Sequence, residues 1–141
     1  MTDLILITGD IAVYDTLFAP ATVLSVQPGI LVGTGTSQVS GKFVCVEGDE
    51  KTATLIGCAY KTEAFPTMGA GTLEILSLGG DQKAIKTKSN GKHVLLKGKI
   101  FSAKFTVTKK AQSADGLVID PVPIYFGQGR FETANNTVKG T

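Results

Sequence analysis

A chain of 141 residues, 43% hydrophobic and 18% charged, holds enough apolar material to fold around a real core, which excludes a disordered or fibrous polypeptide. Seventeen glycines, two cysteines and no tryptophan exclude a disulfide scaffold and predict an all-β, Gly-rich hairpin domain of short strands and many turns. The net charge of +2 hides a segregation: residues 1–82 carry nine acids and three lysines, residues 83–110 nine lysines and no acid, and residues 111–141 three acids, Arg130 and Lys139.

In chain order, Met-Thr-Asp has neither a basic region nor a cleavage site, so no export signal is expected. Leu4 to Ile7 predicts a short strand stopped by Gly9-Asp10, and Ile11 to Tyr14 predicts another before the corner Phe18-Ala19-Pro20-Ala21. Thr22 to Val26 and Ile30 to Val32 flank Gln27-Pro28-Gly29, which predicts a hairpin with Pro-Gly at its tip. Thr16 to Gly41 is uncharged, but Pro20, Pro28 and the glycines exclude a spanning helix there.

An eight-residue frame, Gly-Lys-x-Val-x-x-x-Gly, then occurs twice: Gly41-Lys42-Phe43-Val44-Cys45-Val46-Glu47-Gly48 and Gly91-Lys92-His93-Val94-Leu95-Leu96-Lys97-Gly98. Each copy follows a Ser-Gly or Asn-Gly turn, where positive φ makes a tight hairpin, and continues as an alternating strand. Period 2 puts Val44, Val46, Val94 and Leu96 on one buried face and Phe43, Cys45, Glu47, His93, Leu95 and Lys97 on the other, less apolar one. Thr52 to Ile56 is the expected return strand of the first copy. Cys45 and Cys58, either side of the Gly48–Lys51 turn, are either reduced core thiols or partners across that hairpin.

Tyr60 to Ala70 reads as a loop and Gly71 to Leu78 as a strand, while residues 82–89 are polar and compatible with one helical turn. Phe101, Ala103, Phe105 and Val107 alternate with Ser102, Lys104, Thr106 and Thr108, the cleanest strand pattern in the chain. Lys109 to Gly116 reads as a linker. The expected organisation is therefore a β-rich body at 1–110 with a C-terminal extension at 111–141.

Catalysis has little to work with. His93 is the only histidine, and no nucleophile elbow, phosphate-binding loop or Cys-x-x-Cys is present, so a non-enzymatic role is expected. A structural zinc or iron ion would have to draw on His93, Cys45 and Cys58 with Glu47 or Asp49, which lack close ligand spacing. The lysine block, with Lys83, Lys86, Lys88, Lys92, Lys97 and Lys99 at its centre, is either half of an internal match to the acidic first part or a surface for a polyanion, a nucleic acid or polysaccharide.

The stretch Val39 to Asp49, with Gly9-Asp10 ahead of Ala19-Pro20-Ala21, Gly57-Cys58 and the echo Asn90 to Val94, resembles the PAAR-repeat and PAAR-like spike-tip proteins of contractile injection systems, over residues 5–108. The resemblance implies a small cone that caps a trimeric β-helical spike of a phage tail or type VI secretion system. It also implies help in membrane piercing, transient contact with the outer membrane of a target cell, and carriage of an effector or cargo. Assembly in the cytoplasm and delivery within the particle are implied too. Such tips are often clamped by a metal held by histidines and a cysteine; here only His93, Cys45 and Cys58 are available for that role. On the same resemblance Gly41, Lys42, Val44, Val46, Gly91, Lys92, Val94 and Leu96 are the candidate partner-binding residues, as interface or as its scaffold.

Overall fold

Alternation along residues 101–109 demands a strand with one dry face, and the computed structural model, which describes residues 3–24 and 27–141, places it deep inside an eight-stranded antiparallel sheet. In chain order the strands are β1 (Asp3–Leu4), β2 (Ile11–Tyr14), β3 (Leu17–Phe18), β4 (Ala21–Leu24), β5 (Gly29–Ile30), β6 (Gln38–Val39) and β7 (Lys42–Phe43). A 3-10 turn at Asp49–Ala53 precedes β8 (Leu55–Thr62), β9 (Gly69–Ser77), β10 (Lys83–Ser89), β11 (Lys92–Leu95), β12 (Phe101–Lys109), β13 (Ile124–Glu132) and β14 (Lys139–Gly140). The large sheet runs β3-β4-β8-β9-β12-β13-β2-β5, and three two-stranded pairs, β1-β14, β6-β7 and β10-β11, stand outside it. The fold is all-β, as the glycine content and alternation predict.

The large sheet has to curl. β3 is one edge and β2 is the seventh strand, so a flat sheet would hold them about 29 Å apart at ~4.8 Å per strand. Only Asp15 and Thr16 join them, a link that reaches about 10 Å. Curling brings the edge round: the Asp15 amide donates to the Gln128 carbonyl at 2.9 Å, and the Phe18 ring lies so close over Gly127 that a Cβ there would sit 2.8 Å from it.

The curl encloses an aromatic core. Phe101 stacks at 4.9 Å from Phe131 and 5.6 Å from Tyr14, and Phe105 lies 5.1 Å from Tyr60. Phe101, Phe105 and Phe131 are 0–1% exposed, so each contributes roughly 2–3 kcal/mol from burial alone. Ser102 and Thr108 face solvent and Lys104 is half-buried, as the alternation predicts.

Several expectations need correction. Thr22 to Leu24 does not pair with Ile30: β4 lies between β3 and β8, while β5 edges the far side against β2, and Ser25 and Val26 lie outside the described residues. Residues 52–56 do not return along the first module, because 49–53 coil into the 3-10 turn and β8 pairs with β4 and β9. Cys45 and Cys58 are accordingly free thiols, not hairpin partners. Within residues 82–89, Lys83–Ser89 form a strand, since β10 finds a partner in β11, and Tyr60 is in β8 with its ring in the core.

Strand pairing crosses residue 110: β13, within the expected C-terminal extension at 111–141, sits between β12 and β2 in the large sheet. The expected linker is pinned by one buried carboxylate: Asp120 accepts from the Tyr60 hydroxyl (2.8 Å), the Tyr125 hydroxyl (2.6 Å) and the Val122 amide (3.0 Å). The Ala111 amide closes the ring by donating to the Tyr60 oxygen at 2.9 Å. Burial pushes the Asp120 pKa up, but the donated hydrogen bonds and the Lys110 charge outweigh it and hold the carboxyl below its ordinary value.

A depressed folded-state pKa stabilises the fold above the unfolded-state value, and that stability is lost as pH falls through the folded value. Asp120→Asn is therefore expected to lower stability at neutral pH by about 1–3 kcal/mol and to flatten the loss of stability below about pH 4, read from urea denaturation across that range. An acid limb as steep as in the unmodified protein would show that Asp120 is not the carboxylate responsible.

Candidate functional site

Three copies of one strand pattern, not two, meet at the end of the curled sheet. Ile5-Leu6-Ile7-Thr8-Gly9-Asp10 matches Val44-Cys45-Val46-Glu47-Gly48-Asp49 and Val94-Leu95-Leu96-Lys97-Gly98-Lys99 in register. Their central residues bond in a ring: the Leu6 amide donates to the Leu95 carbonyl (3.0 Å), Leu95 to Cys45 (2.9 Å) and Cys45 to Leu6 (2.9 Å). Bridges at the corners follow the same rotation, with Ile5 opposite Leu96, Ile7 opposite Val44 and Val46 opposite Val94. A second ring lies further out, where Thr8, Glu47 and Lys97 donate to the carbonyls of Phe43, His93 and Leu4 at 3.0, 2.8 and 2.9 Å. One chain thus builds an approximate threefold axis out of non-identical sequence.

Each copy ends on a glycine with φ of +93° at Gly9, +99° at Gly48 and +53° at Gly98, where a side chain would strain the backbone. After it the first two copies place a carboxylate that folds back: Asp10 accepts the Ile7 amide at 2.7 Å and Asp49 the Val46 amide at 2.9 Å. The third copy has Lys99 there and borrows its acceptors, Asp3 for the Gly98 amide (2.8 Å), Asp81 for the Lys99 amide (3.1 Å) and the Gln82 carbonyl for the Leu96 amide (2.9 Å).

Strand alternation makes this plate two-sided. Leu6, Cys45 and Leu95 point into the aromatic core, while Ile5, Ile7, Val44, Val46, Val94 and Leu96 join Val39 and Ala84 in a second, smaller core. The face expected to be less apolar is therefore buried too, at Cys45 and Leu95, both 0% exposed. Burial first, then the negative charges of Asp49 and Asp10, pushes the Cys45 thiol up to about 12, which makes it a packing group.

Every copy is preceded by a two-stranded arm, a hairpin in two cases. In β6-β7 and β10-β11 the turns are Ser40-Gly41 and Asn90-Gly91, with φ of +52°, +80°, +53° and +74°, the two positive values that a type I′ hairpin turn needs. The third arm pairs β1 with β14 in the same register: Leu4 opposite Lys139 matches Phe43 opposite Gln38 and His93 opposite Lys88. The long connections 11–34, 50–82 and 100–134 between the copies supply the curled sheet. The arms lie on the plate's other side.

This placement sorts the candidate residues. Val44, Val46, Val94 and Leu96 are 0–4% exposed and hold the plate together as scaffold; Gly41, Lys42, Gly91 and Lys92 are exposed on the arms. His93 is half-buried, lines a groove of about 880 Å³ with Glu47, Glu50, Lys83 and Lys92, and has no hydrogen-bond partner for Nδ1 among the described residues. Cys45 is shut in the aromatic core and Cys58 is on β8, and among the described residues no three His, Cys, Asp or Glu side chains are placed to hold a metal. The residues present do not fit a metal clamp.

The lysine block divides between the two ends of the molecule. β12 carries the chain from Phe101 to Lys109, about 26 Å at ~3.3 Å per residue, so Lys83, Lys86, Lys88 and Lys92 stand on the β10-β11 arm, Lys97 and Lys99 beside the plate, and Lys109 and Lys110 at the opposite end. Part of the internal charge match exists, in Lys83–Glu47 (3.6 Å) and Lys104–Glu74 (3.1 Å).

Because Asp10 and Asp49 play the same part in equivalent copies, Asp10→Ala and Asp49→Ala are each expected to cost about 1–3 kcal/mol by orphaning buried amides, whereas Asp15→Ala, exposed on the β2-β3 link, should stay within about 0.5 kcal/mol. Equilibrium denaturation of the three variants measures this.

No curated protein matches the chain significantly. The family model described as contractile injection system spike tip protein covers residues 1–141. Over its full described sequence this pseudo-threefold all-β chain belongs to the contractile injection system spike tip family.

Proposed function

We propose that the chain caps the blunt end of a trimeric β-helical spike, meeting it with the three arms. The observation that carries this reading is the pair of cyclic hydrogen-bond rings around the plate axis. A homotrimer ends in three identical strand edges related by rotation, and a single chain can engage all three at once only if it offers three equivalent edges of its own. The arms offer strand edges, the β10 edge partly taken by the Thr141 carbonyl, which accepts the Lys86 and Thr87 amides, and strand addition at an open edge supplies the main-chain hydrogen bonds for such a joint.

The direction follows from the connections. All three long insertions are spent on the curled sheet, so the arm side is free to face the spike, and the loops pinned by Asp120 and bridged at Thr67 and Gln112 form the leading end. There the chain meets a target membrane and carries any cargo, after assembly with the spike in the cytoplasm. No catalytic step belongs to this role.

Light scattering after size exclusion of the chain mixed with the trimeric spike protein of its own particle tests the reading, with one copy per trimer expected. Phe43→Asp, on an arm and 46% exposed, should weaken the complex at least about tenfold, and Leu117→Asp, 84% exposed on the opposite loop, should leave it intact. Separate elution, or three copies per trimer, would overturn the proposal.

A further inference from the structure

The strands of the three arms, β1, β6, β7, β10, β11 and β14, hold Lys42, Lys83, Lys86, Lys88, Lys92 and Lys139 against one acid, Asp3. All six lysines are exposed, and among the described residues only Lys83 has an ion-pair partner, Glu47. The charges are placed by the pseudo-symmetry. Lys42 and Lys92 occupy one position of the threefold set, with Asp3 as the third member, and Lys88 and Lys139 occupy a second, with Gln38 as the third. Asp3 does not neutralise its neighbours' side of the ring, since its carboxylate turns inward to accept the Leu4 amide at 2.7 Å and the Gly98 amide at 2.8 Å.

Resting on the spike-capping reading, we infer that the arms form a basic crown that docks on a ring of carboxylates at the end of the spike trimer, with Lys42, Lys88, Lys92 and Lys139 as the contacting cations. Three copies of one acidic side chain, related by the trimer axis, reach equivalent lysine positions together, so a single acidic residue in the spike sequence meets several lysines. Glu47 and Glu50 stand beside Lys83 and Lys92 in the groove, so the crown is basic in excess, and complementary charge across a joint steers encounter and rejects wrong partners. A nucleic acid is the poorer occupant: duplex DNA presents a linear run of about one charge per 1.7 Å, which suits a strip, and the lysines here surround an axis.

The test compares the unmodified chain with Lys42→Glu/Lys92→Glu and with a control pair at the opposite end, Lys109→Glu/Lys110→Glu, binding the trimeric spike protein of the same particle by biolayer interferometry. All four positions are exposed, and unchanged thermal melts confirm that each variant folds. The inference expects affinity for the unmodified chain to fall at least about tenfold between roughly 50 and 500 mM salt. The Lys42→Glu/Lys92→Glu variant should bind at least about tenfold more weakly at the lower salt and lose most of that dependence, and the control should match the unmodified chain. Tight binding that neither salt nor the arm variant changes overturns the crown and leaves the capping reading standing. Absence of any complex at low salt overturns the capping reading and the crown with it. Retention of a duplex DNA oligonucleotide through Lys42 and Lys92, with spike binding unaffected by the same substitutions, overturns the crown in favour of a polyanion site.

Discussion

Three backbone hydrogen bonds, closing a ring through Leu6, Cys45 and Leu95, are the constraint on which the rest of this molecule depends. Once three strands meet at an axis with their central residues bonded in rotation, the pleat decides everything around them: the central side chains point one way and their neighbours the other. That single alternation produces two cores from one layer, the aromatic core under the plate and the small aliphatic core among the arms. It also explains why Cys45 can stand where the other copies have leucine. The position asks only for an apolar group facing inward, and a buried, protonated thiol satisfies it.

The symmetry is carried by backbone geometry and not by side-chain identity. Positive-φ glycines and the inner amides recur in all three copies, but the acceptors for those amides come from Asp10 and Asp49 in two copies and from Asp3, Asp81 and the Gln82 carbonyl in the third. Buried amides must be bonded to something, and which residue supplies the oxygen is free to drift. The sheet that grows out of the plate has no such symmetry. Its order of strands follows from three unequal insertions, and it closes because the two-residue link at Asp15-Thr16 allows nothing else.

The architecture divides the molecule along its axis. The arms repeat three times and suit a rotationally symmetric surface; the opposite end, where Asp120 ties Tyr60, Tyr125 and the 111–122 loop together, is singular. The exposed lysines follow that division, with most of those on the arms at positions related by the axis. Charge in such a place acts on orientation and encounter more than on the strength of the final contact.

The sequence alone determined the all-β class, the dry face of 101–109, the Ser-Gly and Asn-Gly turns and two of the three plate strands, because each of these depends on local rules: glycine at positive φ, and period 2 along a strand. It also carried the resemblance to spike tips through Val39 to Asp49. Only the tertiary structure decided the third copy. Ile5 to Asp10 has the same apolar, Gly-Asp pattern, but it lacks the Gly-Lys opening that marks the others, since its arm is completed by Lys139 and Gly140 from the other end of the sequence. The place of β13 in the large sheet, the separation of β4 from β5 and the removal of Lys109 and Lys110 to the end opposite the arms were hidden for the same reason. Local patterns specify which face of a strand is buried, whereas the partner of an edge is chosen by the closure of the whole sheet, a long-range condition that no window of the sequence contains.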